Sequence, residues 1–532
     1  MTTDQQTRTD HIPQEGALTS RHITLLRPPV ISSINSFSAP VTPPLAIAYL
    51  TAALKNAGFN VTPVDALGEA IEQVRIYRDP ECRVRGLTTE EIVQRIPSHT
   101  DIIAVSCMFT QEWAFIKQVI RAVKKAFPAV PIIVGGEHAT ALPEEILADC
   151  PEVDMCALGE GEETIVDIAR FFPRQPQRIP SIVYRAPGGE IRRTEKRTRI
   201  RDIEDIPRPA WDDLPLETYL GKGYAHGVNA GRTIPMLATR GCPFQCTFCS
   251  NKVMWTQRYY TRSPEDVVDE IQEYKRKYGI QNIDFADLTA IVKKDWIIKF
   301  GQLLKERHVD VSWSLPSGTR SEALDADVTK LMAETNCKYL VYAAESGSPR
   351  VLKEIKKEVK LDRMLESMKA AKRNGLTLRC NFIIGFPRER RSDVYRTLLF
   401  QWRCAFAGVD DAPLFLFSPY PGTELFDYLR KTGKIPAVND DYFQSLLCYM
   451  DLTRGSSYCE TIGSRELNFY RLIGMAVFYF LSYLIYPGRI VRSVRNIFVT
   501  RITATVFEQR LVEMFRMKKI LKKNCGQAAQ PV

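Results

Sequence analysis

Short apolar runs alternate with helical stretches twice along this chain of 532 residues, and that alternation restricts the fold more than any other feature. The first series opens with a strand at His22 to Val30 and a helix at Pro43 to Phe59, whose first turn holds proline and whose end meets Gly58. Strands are predicted at Asn60 to Ala66, Asp101 to Cys107, Pro131 to Gly136 and Val153 to Gly159, with helices at Trp113 to Phe127 and Pro143 to Ala148. Continuous apolar strands joined by helices imply a parallel sheet covered on both faces, with right-handed crossovers. Residues 21–172 therefore read as a Rossmann-like, doubly wound α/β domain, preceded by a polar leader, residues 1–20, read as disordered.

Residues 173–232 are rich in Pro and Arg, lack periodicity and read as a linker. A second series then places strands at Thr233 to Gly241, Asn282 to Asp287, Val311 to Ser317, Tyr339 to Gly347, Leu378 to Pro387 and Pro413 to Pro419. Helices intervene at Pro264 to Tyr278, Lys294 to Arg307, Asp325 to Thr335, Leu361 to Asn374 and Arg391 to Phe406. Six strands joined by helices predict a partial (β/α)6 barrel of TIM type over residues 233–425, with its active site built by the loops after the strands. Residues 426–532 read as a helical, basic C-terminal region.

The chain has thirteen cysteines, and its leader lacks the apolar core of a signal peptide, which argues for a reducing cytoplasm. Most are scattered and read as packed thiols. Cys242, Cys246 and Cys249 instead stand within C-P-F-Q-C-T-F-C, directly after the first strand of the second series. Thiolates are soft ligands for iron or zinc. Closed structural zinc needs four ligands, and the next candidate upstream is only His226. Three thiolates suit a 4Fe-4S cluster with one iron left open.

CxxxCxxC at the end of the first strand of a βα series resembles the radical S-adenosylmethionine (SAM) superfamily, over about Thr233 to Pro421. The resemblance implies that the open iron chelates SAM and that the reduced cluster cleaves it to a 5′-deoxyadenosyl radical, fed by an electron donor such as flavodoxin or ferredoxin. It also assigns SAM contacts to Asp287, to Ser317 and Arg320, and to Glu345 in the segment E-S-G-S; Gly385 in F-I-I-G-F-P shapes a turn. The first domain in turn resembles the cobalamin-binding domain of a subgroup that includes C-methyltransferases and the anaerobic oxidative cyclase of chlorophyll synthesis. The segments P-P-L-A-I-A-Y-L-T-A-A-L, V-G-G-E-H-A-T and L-G-E-G-E-E-T carry that likeness. Ser106, Gly135, Gly136, Gly159 and Gly161, at the carboxyl ends of its strands, are the candidate cobalamin contacts. No DxHxxG follows the first strand, so no histidine is supplied to cobalt, and His138 is expected to pack.

The implied function is reductive cleavage of SAM with C-methylation of an unactivated carbon on a hydrophobic or biosynthetic substrate, a small or lipid-like molecule. A radical oxidative cyclase or rearrangement enzyme with the same cofactors is the alternative, and a non-catalytic cobalamin or cluster sensor a third reading. Methylthiotransferase activity is disfavoured, because the first domain lacks three cysteines arranged for a second cluster.

The formal charge of +10 is concentrated in the tail: from Arg489 onward ten Arg or Lys face only Glu508 and Glu513. The body is nearly neutral, which argues against nucleic acid as a partner. Leu472 to Gly488 is uncharged but spans 17 residues, at the lower edge of what crosses a bilayer, and is not expected to cross. The segment after it interleaves Arg and Lys with apolar residues. That pattern fits a helix lying on an anionic membrane face, at the inner side of the membrane, and equally a helical cap packed on the barrel.

Overall fold

The computed structural model describes residues 20–36, 41–77, 82–289, 292–449, 451–500, 503 and 505–528. The leader, residues 1–19, lies outside them. Seven strands form the first sheet: β1 (His22–Arg27), β2 (Asn60–Asp65), β3 (Ile102–Ser106), β4 (Ile132–Gly135), β5 (Met155–Ala157), β6 (Ile182–Arg185) and β7 (Ile191–Arg193). Their order is β7-β6-β5-β4-β3-β1-β2. Strands β1 to β5 are parallel in the 2-1-3-4-5 order of a doubly wound sheet, so the topological switch lies between β1 and β3 and a ligand crevice opens at their carboxyl ends.

The stretch read as a linker holds strands of its own. It supplies β6 and β7, which pair antiparallel and extend the sheet beyond β5. Strands of four and three residues flanked by Pro, Gly and Arg carry too few positions to display a period.

The second sheet contains β8 (Thr233–Met236), β9 (Asn282–Phe285), β10 (Ser312–Thr319), β11 (Cys337–Glu345), β12 (Thr377–Ile384) and β13 (Leu414–Leu416), all parallel and in chain order. This is the open barrel that the sequence predicts. On β12, Leu378, Cys380, Phe382 and Ile384 are buried, and Phe382 meets Phe400 of the covering helix edge-on. Thr377, Arg379, Asn381 and Ile383 alternate with them, half-buried, and face the interior. Local chemistry sets the helix ends. Ser263 caps Pro264–Tyr278 by accepting from the Asp266 N–H, and Gly279 ends it at φ 60°, a left-handed conformation that glycine adopts at little cost.

Four helices matter to the C-terminal architecture: α1 (Arg391–Phe406), α2 (Ser464–Ile485), α3 (Gly488–Arg495) and α4 (Val506–Ala528). Helix α2 packs on α1 and against β13 at Gly474, where a Cβ would come within 2.6 Å of Leu398. Helix α4 returns to the first unit: Glu513 pairs with Arg85 at 2.6 Å, and Arg516 lies over the Tyr224 ring.

Candidate functional site

The cysteine loop leaves the carboxyl end of β8. Cys242, Cys246 and Cys249 are partly exposed free thiols. Local hydrogen bonds fix the loop: the Cys249 N–H donates to the Cys246 carbonyl at 3.2 Å, Thr247 N–H to the Ile355 carbonyl at 3.0 Å, and Asn251 Nδ2 to the Cys242 carbonyl at 3.1 Å. Burial pushes the Cys249 thiol up to about 12. A bound cation would favour the thiolate against that cost. Among the described residues no three His, Cys, Asp or Glu side chains converge on a single-ion position. An iron-sulfur cubane has no need of that, because each thiolate takes a different iron.

Around the loop stand the residues expected to meet SAM. Arg320 lies 3.1 Å over the Phe244 ring, between Cys242 and Cys246, and donates to the Glu358 carbonyl. Ser317 is exposed within an irregular stretch of β10, where Leu315 and Thr319 pair with Leu340 and Tyr342. Glu345 ends β11 at a register shift, with φ 62°, and its carboxylate accepts from Lys357 Nζ at 3.0 Å. A non-glycine residue held left-handed and buried stores strain that only a packed surrounding maintains, a mark of functional positions. Asp287 is wholly buried and turned toward the cysteine loop's own backbone, accepting from the Ala238 N–H at 3.2 Å and from the Thr239 hydroxyl. Burial pushes its carboxyl up to about 6, against those hydrogen bonds.

Across from the loop lies the carboxyl edge of the first sheet. Ser106, Gly135 and Ala157 pair side by side on β3, β4 and β5, small and only half-buried. A bulky flat ligand fits such a row. The five candidate positions divide here. Gly135 and Gly159 face open space: a Cβ on Gly135 would meet only Ala157, at 3.8 Å, and one on Gly159 only the Met254 carbonyl, at 3.8 Å. Gly136 and Gly161 answer internal packing, since a Cβ would stand 2.5 Å from the Cys107 carbonyl or 2.8 Å from Leu50. His138 is buried between Trp113 and Phe443, its Nδ1 3.1 Å from the Thr110 hydroxyl, and burial lowers its pKa to about 3. The ring is neutral and walled in, as packing requires.

The two edges interlock. Glu137 accepts from the Ser250 hydroxyl, next to Cys249. Gly159 N–H donates to the Thr140 hydroxyl at 3.0 Å, which in turn reaches Met254 Sδ at 3.5 Å. Arg240, two residues before Cys242, pairs with Glu160 at 3.3 Å and with Glu162 at 2.5 Å. Arg199 holds the other face of Glu160 at 3.1 Å.

Comparison with known proteins matches this division. Residues 34–169 match the B12 binding domain and residues 236–400 the Radical SAM superfamily. An uncharacterized methyltransferase of Pyrococcus horikoshii is 30% identical over 420 residues, covering 78% of this chain and 85% of the relative. The chain belongs to the cobalamin-binding radical SAM enzymes. Within that family, cytidylyl-2-hydroxyethylphosphonate methyltransferase of Streptomyces wedmorensis is 28% identical over 422 residues, covering 74% of this chain and 78% of the relative. A radical S-adenosylmethionine methyltransferase from Kitasatospora setae, solved with cobalamin and a 4Fe-4S cluster, shares the fold at a TM-score of 0.60 and 16% identity, with 78% of each chain covered.

Sequence reasoning missed the residues with which this radical SAM enzyme joins its two edges. The glutamates of G-E-G-E stood in view, as did the arginine before the first cysteine, yet their pairing spans 80 residues. Lys357 carries no motif, and only the fold brings it to Glu345.

Proposed function

We propose that this enzyme is a cobalamin-dependent radical SAM C-methyltransferase acting on a small-molecule or lipid-like substrate held between the two strand edges. One observation carries the reading: the three-cysteine loop is locked directly against the open small-residue row of the first sheet, through Arg240 with Glu160 and Glu162 and through Ser250 with Glu137. Two cofactor sites thereby face one chamber. When bound, the cluster supplies one-electron reduction of SAM and cobalamin supplies the methyl group.

The chain's own work is holding and orienting. Cys242, Cys246 and Cys249 would hold the cluster. Ser317, Arg320 and Glu345 would hold SAM, with Lys357 fixing the Glu345 carboxylate, while Asp287 holds the start of the loop in place. Ser106, Gly135 and Gly159 would make room for cobalamin at the carboxyl edge of the first sheet. In the barrel interior, Asp284 accepts from the His226 and Gly227 N–H groups at 3.0 and 3.1 Å, and Arg379 donates to Asn381 at 2.8 Å. The half-buried Arg379 and Asn381 would meet polar parts of a substrate, while Asp284 holds the His226 segment. A basic groove of about 700 Å³ beside the loop, lined by Lys196, Arg197, Arg201, Lys252 and Arg258, suits an acidic electron carrier such as flavodoxin or ferredoxin.

Anaerobically reconstituted protein with its substrate is expected to form 5′-deoxyadenosine and S-adenosylhomocysteine together, with label from methyl-SAM in the product. Cys242→Ala abolishes both. Turnover surviving in that variant would overturn the radical assignment, and 5′-deoxyadenosine with no S-adenosylhomocysteine would select the cyclase instead.

A further inference from the structure

The outer face of α2 departs from ordinary surface composition. Phe469, Leu472, Ile473, Phe480 and Leu484 recur at helical spacing and are exposed, Phe480 and Leu484 to 65% each. From Phe469 to Leu484 this stripe runs about 22 Å at the rise of an α-helix. It continues over α3 and the turn Asn496–Thr500 through Ile490, Val491, Val494, Phe498 and Val499, of which Val491 is 71% and Val499 74% exposed. Exposed hydrophobic residues are normally scattered singly, and a continuous patch of this kind marks an interface.

Charge decides what covers it. From Leu467 to Phe507 the sequence holds no Asp or Glu; Arg471 and Arg489 are buried in the body, while on α3 Arg495 is exposed beside the apolar stripe and Arg492 is half-exposed, 3.5 Å from Asp410. A second copy of the chain would bring its own Arg492 and Arg495 to the seam, whereas a bilayer with anionic headgroups complements them and accepts the apolar stripe. The helix is long and apolar enough to cross a membrane. Its inner face decides otherwise. Arg471, buried, donates to the Asp451 and Arg454 carbonyls at 2.7 and 3.0 Å, and Leu467, Gly474 and Phe478 pack into the body. Crossing would strip those contacts, so the helix lies in the plane of the surface.

We propose that the outer face of α2 and α3 docks this enzyme onto an anionic lipid bilayer. The same helix walls the barrel, since Tyr479 donates its hydroxyl to Asp411 beside the interior Arg379. Docking therefore brings the proposed chamber to the bilayer as a source of lipid-like substrate; that consequence rests on the reading of the site, while docking itself does not.

The test is flotation of the full, reconstituted chain with vesicles of phosphatidylcholine alone or mixed with phosphatidylglycerol. Binding is expected to the mixed vesicles, falling about tenfold with phosphatidylcholine alone or at raised salt. The double variant Phe480→Glu with Leu484→Glu changes exposed positions only and should lower flotation by about tenfold or more while 5′-deoxyadenosine formation is unchanged. Absence of flotation with the mixed vesicles overturns the proposal, as does flotation indifferent to the double variant. A dimer in sedimentation that the double variant dissociates also overturns it, by assigning the face to a second copy. Flotation that persists in protein forming no 5′-deoxyadenosine would sink the catalytic reading and leave docking standing.

Discussion

Glu389 shows what a single side chain contributes at the turn that ends β12. Its Oε2 accepts from the backbone N–H of Gly385 at 2.5 Å and of Phe386 at 3.2 Å, so one carboxylate closes the turn. Burial pushes its pKa up from 4.5 to about 8, opposed by those two donors; Asp393 adds to the rise and Arg350 subtracts. A folded-state pKa raised above the unfolded value means that the protonated acid favours the fold. The contribution is full below about pH 4.5 and is lost as pH rises through about 8. Glu389→Gln keeps the accepting carbonyl and removes the charge. Thermal melts are expected to show the wild type losing ground to the variant between about pH 5 and about pH 8, with the two converging at the acid end. Parallel melting curves across that range would refute the assignment. At this scale the sequence was legible where chemistry is contiguous: three cysteines close in sequence share one loop in the structure. It was silent where partners are distant, as with Ser250 and Glu137, 113 residues apart.

Element boundaries follow from local physics, and here the sequence reads well. Pro264–Tyr278 and Arg391–Phe406 begin and end where caps and apolar spacing place them, and every predicted barrel strand is present. What escaped is where one element presses on another. Gly347, after β11, is such a place: an added Cβ would stand 2.4 Å from the Arg396 carbonyl and 2.8 Å from the Thr397 Cα, both in α1. Backbone atoms of a packed helix yield less readily than a side-chain tip, so the chain leaving Glu345 must shift instead. Gly347→Ala is expected to cost about 1–3 kcal/mol in urea unfolding, the usual range for overpacking. It should also weaken SAM binding several-fold, because Glu345 and Lys357 move with that segment. A variant with unchanged stability but altered SAM affinity would show that the glycine serves the ligand directly and not the helix.

The two units behave as one body because ions are buried across their seam. Arg240 lies on the short strand Thr239–Arg240 that leads into the cysteine loop, Glu160 and Glu162 at the edge of the first sheet, and their side chains are 4%, 5% and 11% exposed. The Tyr49 and Trp255 rings flank the guanidinium at 5.3 and 5.5 Å. Such a triad gives little net stability while intact, since desolvation offsets attraction. Removal of one partner is another matter, because it strands charge in a low-dielectric site, at about 3–5 kcal/mol. Arg240→Met leaves two carboxylates in that position, with Arg199 still answering part of Glu160. The loss falls on the contact between units more than on either core, so calorimetry is expected to show one transition for the wild type and two for the variant, the lower one displaced by several degrees. Adding Glu162→Gln to Arg240→Met removes the stranded charge while Glu160 keeps its partner Arg199, and should restore much of the lost stability. Cobalamin and cluster should still bind separately to Arg240→Met, with S-adenosylhomocysteine formation falling well below that of 5′-deoxyadenosine, because the seam sets the alignment of the two sites. Equal loss of both products would mean that the arginine acts on the cysteine loop alone.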